Sequence, residues 1–186
     1  MKQLARWVSI LAHPFVMVAL LVAVPAMRQR SGTAVQSVLL VIAVVLPIAV
    51  LMFRQVHRGR WSNVDASKPS ERPVLFMVAF ASLVAALGWL LLNDPHSFLV
   101  RGLLVATAFL LVAALLTRWV KLSLHVAFAA LTATTLCLLG STVGYALTAV
   151  VPVVFWSRIA LARHRVHEVL VGLVLGVLTG VVLVRL

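Results

Sequence analysis

Between residues 8 and 184 the chain is a succession of apolar stretches broken by short polar connectors. A helix rises 1.5 Å per residue, so crossing the roughly 30 Å hydrocarbon core of a bilayer takes about 20 apolar residues. Stretches at about 8–27, 34–53, 73–92, 98–117, 125–139, 142–156 and 166–184 meet or approach that length. In lipid every backbone N–H and C=O must find a partner within its own segment, which makes each stretch a helix. The fold predicted is an all-α integral membrane protein, a single domain over residues 1–186 built as a bundle of about six to seven transmembrane helices, with no space left for a soluble domain. The first stretch imitates a signal peptide, with Lys2 and Arg6 ahead of it and small residues near Ala23 and Ala26. It is longer than a usual signal core, and the expectation is an uncleaved helix kinked near Pro14, with His13 as a packing group.

At 63% hydrophobic residues the chain exceeds the roughly one-half apolar content of soluble domains, which excludes a water-soluble globule. Its formal charge of +12 does not imply nucleic acid, because the cations are scattered between apolar runs and form no stripe. Membrane lipids and phosphorylated ligands are the anionic partners expected. The lone Cys137 rules out a disulfide within the chain. Gly172, Gly176 and Gly180 recur every fourth residue, giving a face on which a neighbouring helix can approach closely; whether the protein also self-associates stays open.

With seven spans, the connectors after the second, fourth and sixth emerge on one side of the bilayer. They hold most of the charge and histidine: Lys68 and Arg72, then Lys121, Ser123 and His125, then Arg158, His164 and Glu168. Of the 16 Lys and Arg residues only Arg28, Arg30, Arg101 and Arg185 fall on the other side, so the positive-inside rule makes the richer face cytoplasmic in a multi-pass protein of the plasma or inner membrane. His57 and His167 read as interfacial polar residues, and the tryptophans near helix ends, Trp7, Trp61, Trp119 and Trp156, as interfacial anchors.

Residues 157–168 concentrate three arginines, two histidines and an acid. If the helix begins at about His164, then His164 and Glu168 stand one turn apart on one face, and the carboxylate can fix the imidazole's tautomer and raise its basicity. Arg158, expected in a short connector, can swing toward the same point and grip an anion with its planar fork of donors. A cation, a nucleophile and an orienting group are the parts of a phosphoryl-transfer site.

The spacing Ser157-Arg158, five residues, His164, three residues, then an acid resembles the third signature of the type 2 phosphatidic acid phosphatase superfamily, SRxxxxxHxxxD, with Glu168 for the final Asp. The family's second signature, PSGH, is similar to Leu122-Ser123-Leu124-His125, and its first, KxxxxxxRP, keeps Arg72-Pro73 but has Asp65 in the lysine position. The resemblance covers about residues 54–180. It implies a phosphatase acting on a lipid phosphate monoester or an isoprenoid (di)phosphate, without metal or cofactor. His164 would attack phosphorus, Glu168 would orient it, and His125 would protonate the leaving alkoxide and later help activate water. Arg72, Arg158 and Ser123 would hold the non-bridging oxygens, and Lys68 or Lys121 would supply the charge that Asp65 removes. A second reading is a catalytically weakened relative that binds phospholipids or scaffolds a partner. A small transporter using intramembrane histidines is disfavoured by the near absence of charge within the spans. A zinc site of His125, His164, His167 and Glu168 is disfavoured by the surrounding arginines.

Overall fold

The computed structural model describes residues 1–27, 31–62 and 68–186, and among them every regular element is a helix. In order these are α1 (Lys2–Leu11), α2 (Pro14–Ala26), α3 (Ser31–His57), a single 3-10 turn (Pro69–Glu71), α4 (Arg72–Asn93), α5 (Phe98–Leu116), α6 (Leu124–Leu138), α7 (Thr142–Ala160) and α8 (Val166–Arg185). Among the described residues, α4, α5, α7, α8 and α3 from Ala34 onward are long and apolar enough to cross a membrane, while α1 and α2 reach that length and hydropathy only when taken together, as a broken span or a re-entrant loop. The chain is an all-α, multi-pass membrane protein. Asp65, the residue in the lysine position of the first signature, lies outside the described residues, as do Arg28 and Arg30.

The bend expected near Pro14 is there: α1 and α2 meet at 42° across Ala12 and His13. Proline lacks an N–H and stands at the start of α2, where that donor would be unsatisfied anyway. The His13 ring caps the new helix, its Nδ1 accepting from the Phe15 N–H at 3.3 Å.

Two compact units make up the chain, one of Met1–Val38 with Trp119–Leu186 and one of Leu39–Arg118, with α3 running through the boundary. In the first unit α6 is the central helix, packed against α2, α7 and α8, while α1 packs on α7. It is rich in alanine and buried almost all round, from His125 through Leu136. Small residues decide how closely its neighbours come, since helices in lipid gain stability from tight contact more than from leaving water. A Cβ added at Gly172 would lie 2.6 Å from the Ser123 carbonyl oxygen, one at Gly176 2.2 Å from that of Ala127, and one at Gly180 3.0 Å from that of Leu131. Both helices therefore ascend together, parallel and in register, over the glycine face read from the sequence. Gly144 does the same for α7, where a Cβ would meet the Cys137 amide at 2.2 Å. The tight turn that precedes it takes Gly140 to a φ of +68°, a conformation that favours glycine. On the far side, the Thr132 hydroxyl donates to the Met17 carbonyl of α2 at 3.1 Å.

In the second unit α4 and α5 pack together, with buried residues at helical spacing: Leu75, Ala79, Leu83, Ala86 and Leu90 on α4, and Leu99, Leu103, Leu110 and Ala113 on α5. Ahead of α4, the Glu71 carboxylate accepts from the Ser62 N–H at 2.9 Å and the Lys68 N–H at 3.1 Å, tying the two described ends of this connector together. Trp61, expected at an interface, is buried, whereas Trp7 and Trp119 are exposed.

Candidate functional site

Two connectors of the first unit meet at one end of the parallel pair α6 and α8. The Ser123 N–H donates to the Glu168 carbonyl at 3.1 Å, and the Lys121 carbonyl lies 3.0 Å from His164 Nδ1. The Lys121 ammonium donates to the Arg163 carbonyl at 3.0 Å. Lys121, Ser123, His125, His164 and Glu168 are thus brought to a single corner from segments some forty residues apart in sequence.

His164 is the best-defined group there. Its side chain is 4% exposed, and Nδ1 is 2.9 Å from Glu168 Oε2 as well as 3.0 Å from the Lys121 carbonyl. Both neighbours are acceptors, so Nδ1 carries a proton, and when the ring is neutral its lone pair lies on Nε2. The pairing does not arise, as expected, from one face of a helix begun at His164, because α8 begins only at Val166. Glu168 instead stands in the first turn of α8 and reaches back over its start, where the same Oε2 also accepts from the Arg165 N–H at 3.1 Å. A carboxylate in this place caps the helix and orients the ring at once.

Arg158 is not in the connector. It lies in the last turn of α7 and is 2% exposed, because the helix runs on past Trp156 to Ala160. The Ser157 hydroxyl accommodates this burial by donating to the Val154 carbonyl at 2.7 Å. The swinging side chain expected from the sequence is instead a fixed one. Its Nη1 donates to the Ser9 hydroxyl of α1, and its carbonyl accepts from the N–H groups of Arg163 at 3.0 Å and His164 at 3.4 Å. That wrap sends the connector back on itself and requires Ala162 at a φ of +53°, a left-handed conformation that costs a residue with a Cβ about 1–2 kcal/mol.

Ser123 and His125 complete the corner from α6. The Ser123 hydroxyl is fully buried and has no hydrogen-bond partner among the described residues, a condition that calls for a ligand or water. His125 is 5% exposed and lies within electrostatic reach of Arg158, His13, His164 and Arg163. Two further residues reach this corner that sequence reasoning did not place there. His13 sets its ring edge-on to that of His125, centroids 5.3 Å apart, and Ser9 holds Arg158. The one signal in the sequence was a histidine beside a proline inside an apolar run.

Lys68 and Arg72 belong to the other unit. Lys68 is exposed, while Arg72 is buried at the start of α4 behind Glu71. His167 is exposed. Among the described residues no three of His, Cys, Asp and Glu gather closely enough to hold a metal ion.

No known family model, curated protein or solved structure matches the chain.

Proposed function

We propose that the chain is a membrane-embedded phosphatase related to the type 2 phosphatidic acid phosphatases, hydrolysing a lipid phosphate monoester or an isoprenoid (di)phosphate through a phosphohistidine. The observation that carries this reading is the His164 ring, clamped at Nδ1 by Glu168 and the Lys121 carbonyl and so presenting a nucleophilic Nε2. His164 Nε2 attacks phosphorus, the bond from phosphorus to the leaving oxygen breaks, and His125 supplies the proton to that oxygen, an alkoxide from a monoester or a phosphate oxygen from a diphosphate. Water then attacks the phosphohistidine, giving its proton to His125 and releasing inorganic phosphate. Arg158 and the Ser123 hydroxyl serve the charge that grows on the non-bridging oxygens, with Lys121 as a further cation of the set. Such a site at helix ends leaves the acyl or prenyl chain in the bilayer, consistent with a plasma or inner membrane location.

A second reading, a weakened relative that binds lipids or scaffolds a partner, draws on Arg158 being held by Ser9. One experiment separates them. Purified protein is given phosphatidic acid and a polyprenyl diphosphate and phosphate release is measured, with His164→Ala as control. Release that the substitution abolishes supports the phosphatase; no release from either substrate defeats it.

A further inference from the structure

A concavity of about 210 Å3 lies beside the connector that carries His164. It is lined by Lys2 and Arg6 of α1 and by Ala160, Leu161, Ala162 and Arg163 from the end of α7 and the connector. Three cations from two separate elements share it, and none of the lining residues is acidic. Their placement follows from the packing. Lys2 and Arg6 stand one turn apart on α1, beside Ala5 and Ser9, which are buried as α1 packs on α7. Arg163 is held from the other side, its N–H donating to the Arg158 carbonyl at 3.0 Å and its carbonyl accepting from the Lys121 ammonium at 3.0 Å. Bringing three like charges into one concavity costs free energy unless an anion enters it. The opposite side of α1 points to the anion: Leu4, Trp7 and Leu11 are each more than 60% exposed, an apolar face with which a helix can rest on a membrane interface, where phosphate headgroups are found.

We infer that this cavity binds a phosphate group, in a phosphodiester or phosphomonoester, through Lys2, Arg6 and Arg163. A lipid headgroup and free phosphate present the same chemistry to it. The inference does not rest on the hydrolase reading, since it concerns a different set of residues.

The test uses the full chain in a His164→Ala background, so that turnover plays no part. Lipid retention is measured by native mass spectrometry from mixed phosphatidylglycerol and phosphatidylcholine micelles, and inorganic phosphate binding by equilibrium dialysis. Juxtamembrane cations contribute about 1 kcal/mol each, so the double substitution Lys2→Gln with Arg6→Gln should weaken binding about 30-fold, and Arg163→Gln about fivefold. Arg185→Gln, at the end of α8, should change nothing. Both lysine and arginine replaced in α1 are exposed and glutamine is a good helix former, so circular dichroism should stay unaltered. Selective loss of phosphatidylglycerol in the α1 variant assigns a lipid headgroup; selective loss of inorganic phosphate assigns the free ion. The inference is overturned if neither probe binds, if the α1 variant binds both unchanged, or if Arg185→Gln loses as much.

Discussion

His164 Nδ1 is 2.9 Å from Glu168 Oε2, and the same carboxylate oxygen takes the Arg165 N–H, so one atom both starts a helix and sets a ring. Substituting Glu168→Gln keeps an acceptor but removes the charge that stabilises the imidazolium and enforces its tautomer. Orienting partners of this kind are worth about 10- to 100-fold, so on the proposed phosphatase reading kcat for phosphate release should fall by about that factor with KM little changed. Glu168→Asp should recover part of the loss. Equal kcat in Glu168→Gln and the parent would remove the carboxylate from the mechanism.

Packing of α8 on α6 leaves no space for a methyl group at Gly176, where a Cβ would fall 2.2 Å from the Ala127 carbonyl oxygen. Gly176→Ala should lower stability by about 2 kcal/mol, the usual scale of overpacking, read as a fall in the thermal midpoint in detergent. Gly88→Ala, where a Cβ meets nothing within 4 Å, should leave the midpoint unchanged or raise it slightly.

Ser9 is a buried hydroxyl on α1 that accepts from the Arg158 guanidinium across to α7. Hydrogen bonds to charged groups contribute about 1.5–3 kcal/mol, so Ser9→Ala should destabilise the protein by about 2 kcal/mol. Ser9→Thr, which keeps the hydroxyl, should lose less. Unfolding followed by intrinsic tryptophan fluorescence reads both.

Glu71 gives a pH dependence with a definite sign. Burial pushes its pKa up, but the Ser62 and Lys68 N–H groups and the Ser62 hydroxyl donate to the ionised form, and the net effect holds it below its ordinary 4.5. A depressed carboxylate stabilises the fold fully above that ordinary value and loses this contribution as pH falls through the folded value. The midpoint of Glu71→Gln should therefore lie below the parent at pH 7, and the gap should close as the pH drops below 4.5. A gap constant with pH would show that the carboxylate charge does not matter.

The helices were legible because each apolar run carries its own length and its own polar ends, and the face of Gly172, Gly176 and Gly180 because spacing by fours is a local property. The pairing of His164 with Glu168 was legible for the same reason, although it arises from capping and not from a shared helical face. What local pattern does not encode is depth. Nothing near Arg158 tells that α7 continues four residues beyond Trp156 and buries the guanidinium; Ser9, far away on α1, makes that burial tolerable. Likewise His13 reads locally as a kink residue, and only the packing of α2 on α6 brings its ring to His125.

The glycines of α8 act as a ruler. Because α6 and α8 rise side by side, any slip between them must go by whole teeth, a step of four residues or about 6 Å along the axis. One such step would carry the Ser123 amide away from the Glu168 carbonyl and the Lys121 carbonyl away from the His164 ring. The alignment of the polar corner is therefore gauged along the buried seam of the two helices, from Gly172 against Ser123 down through Gly176 and Gly180.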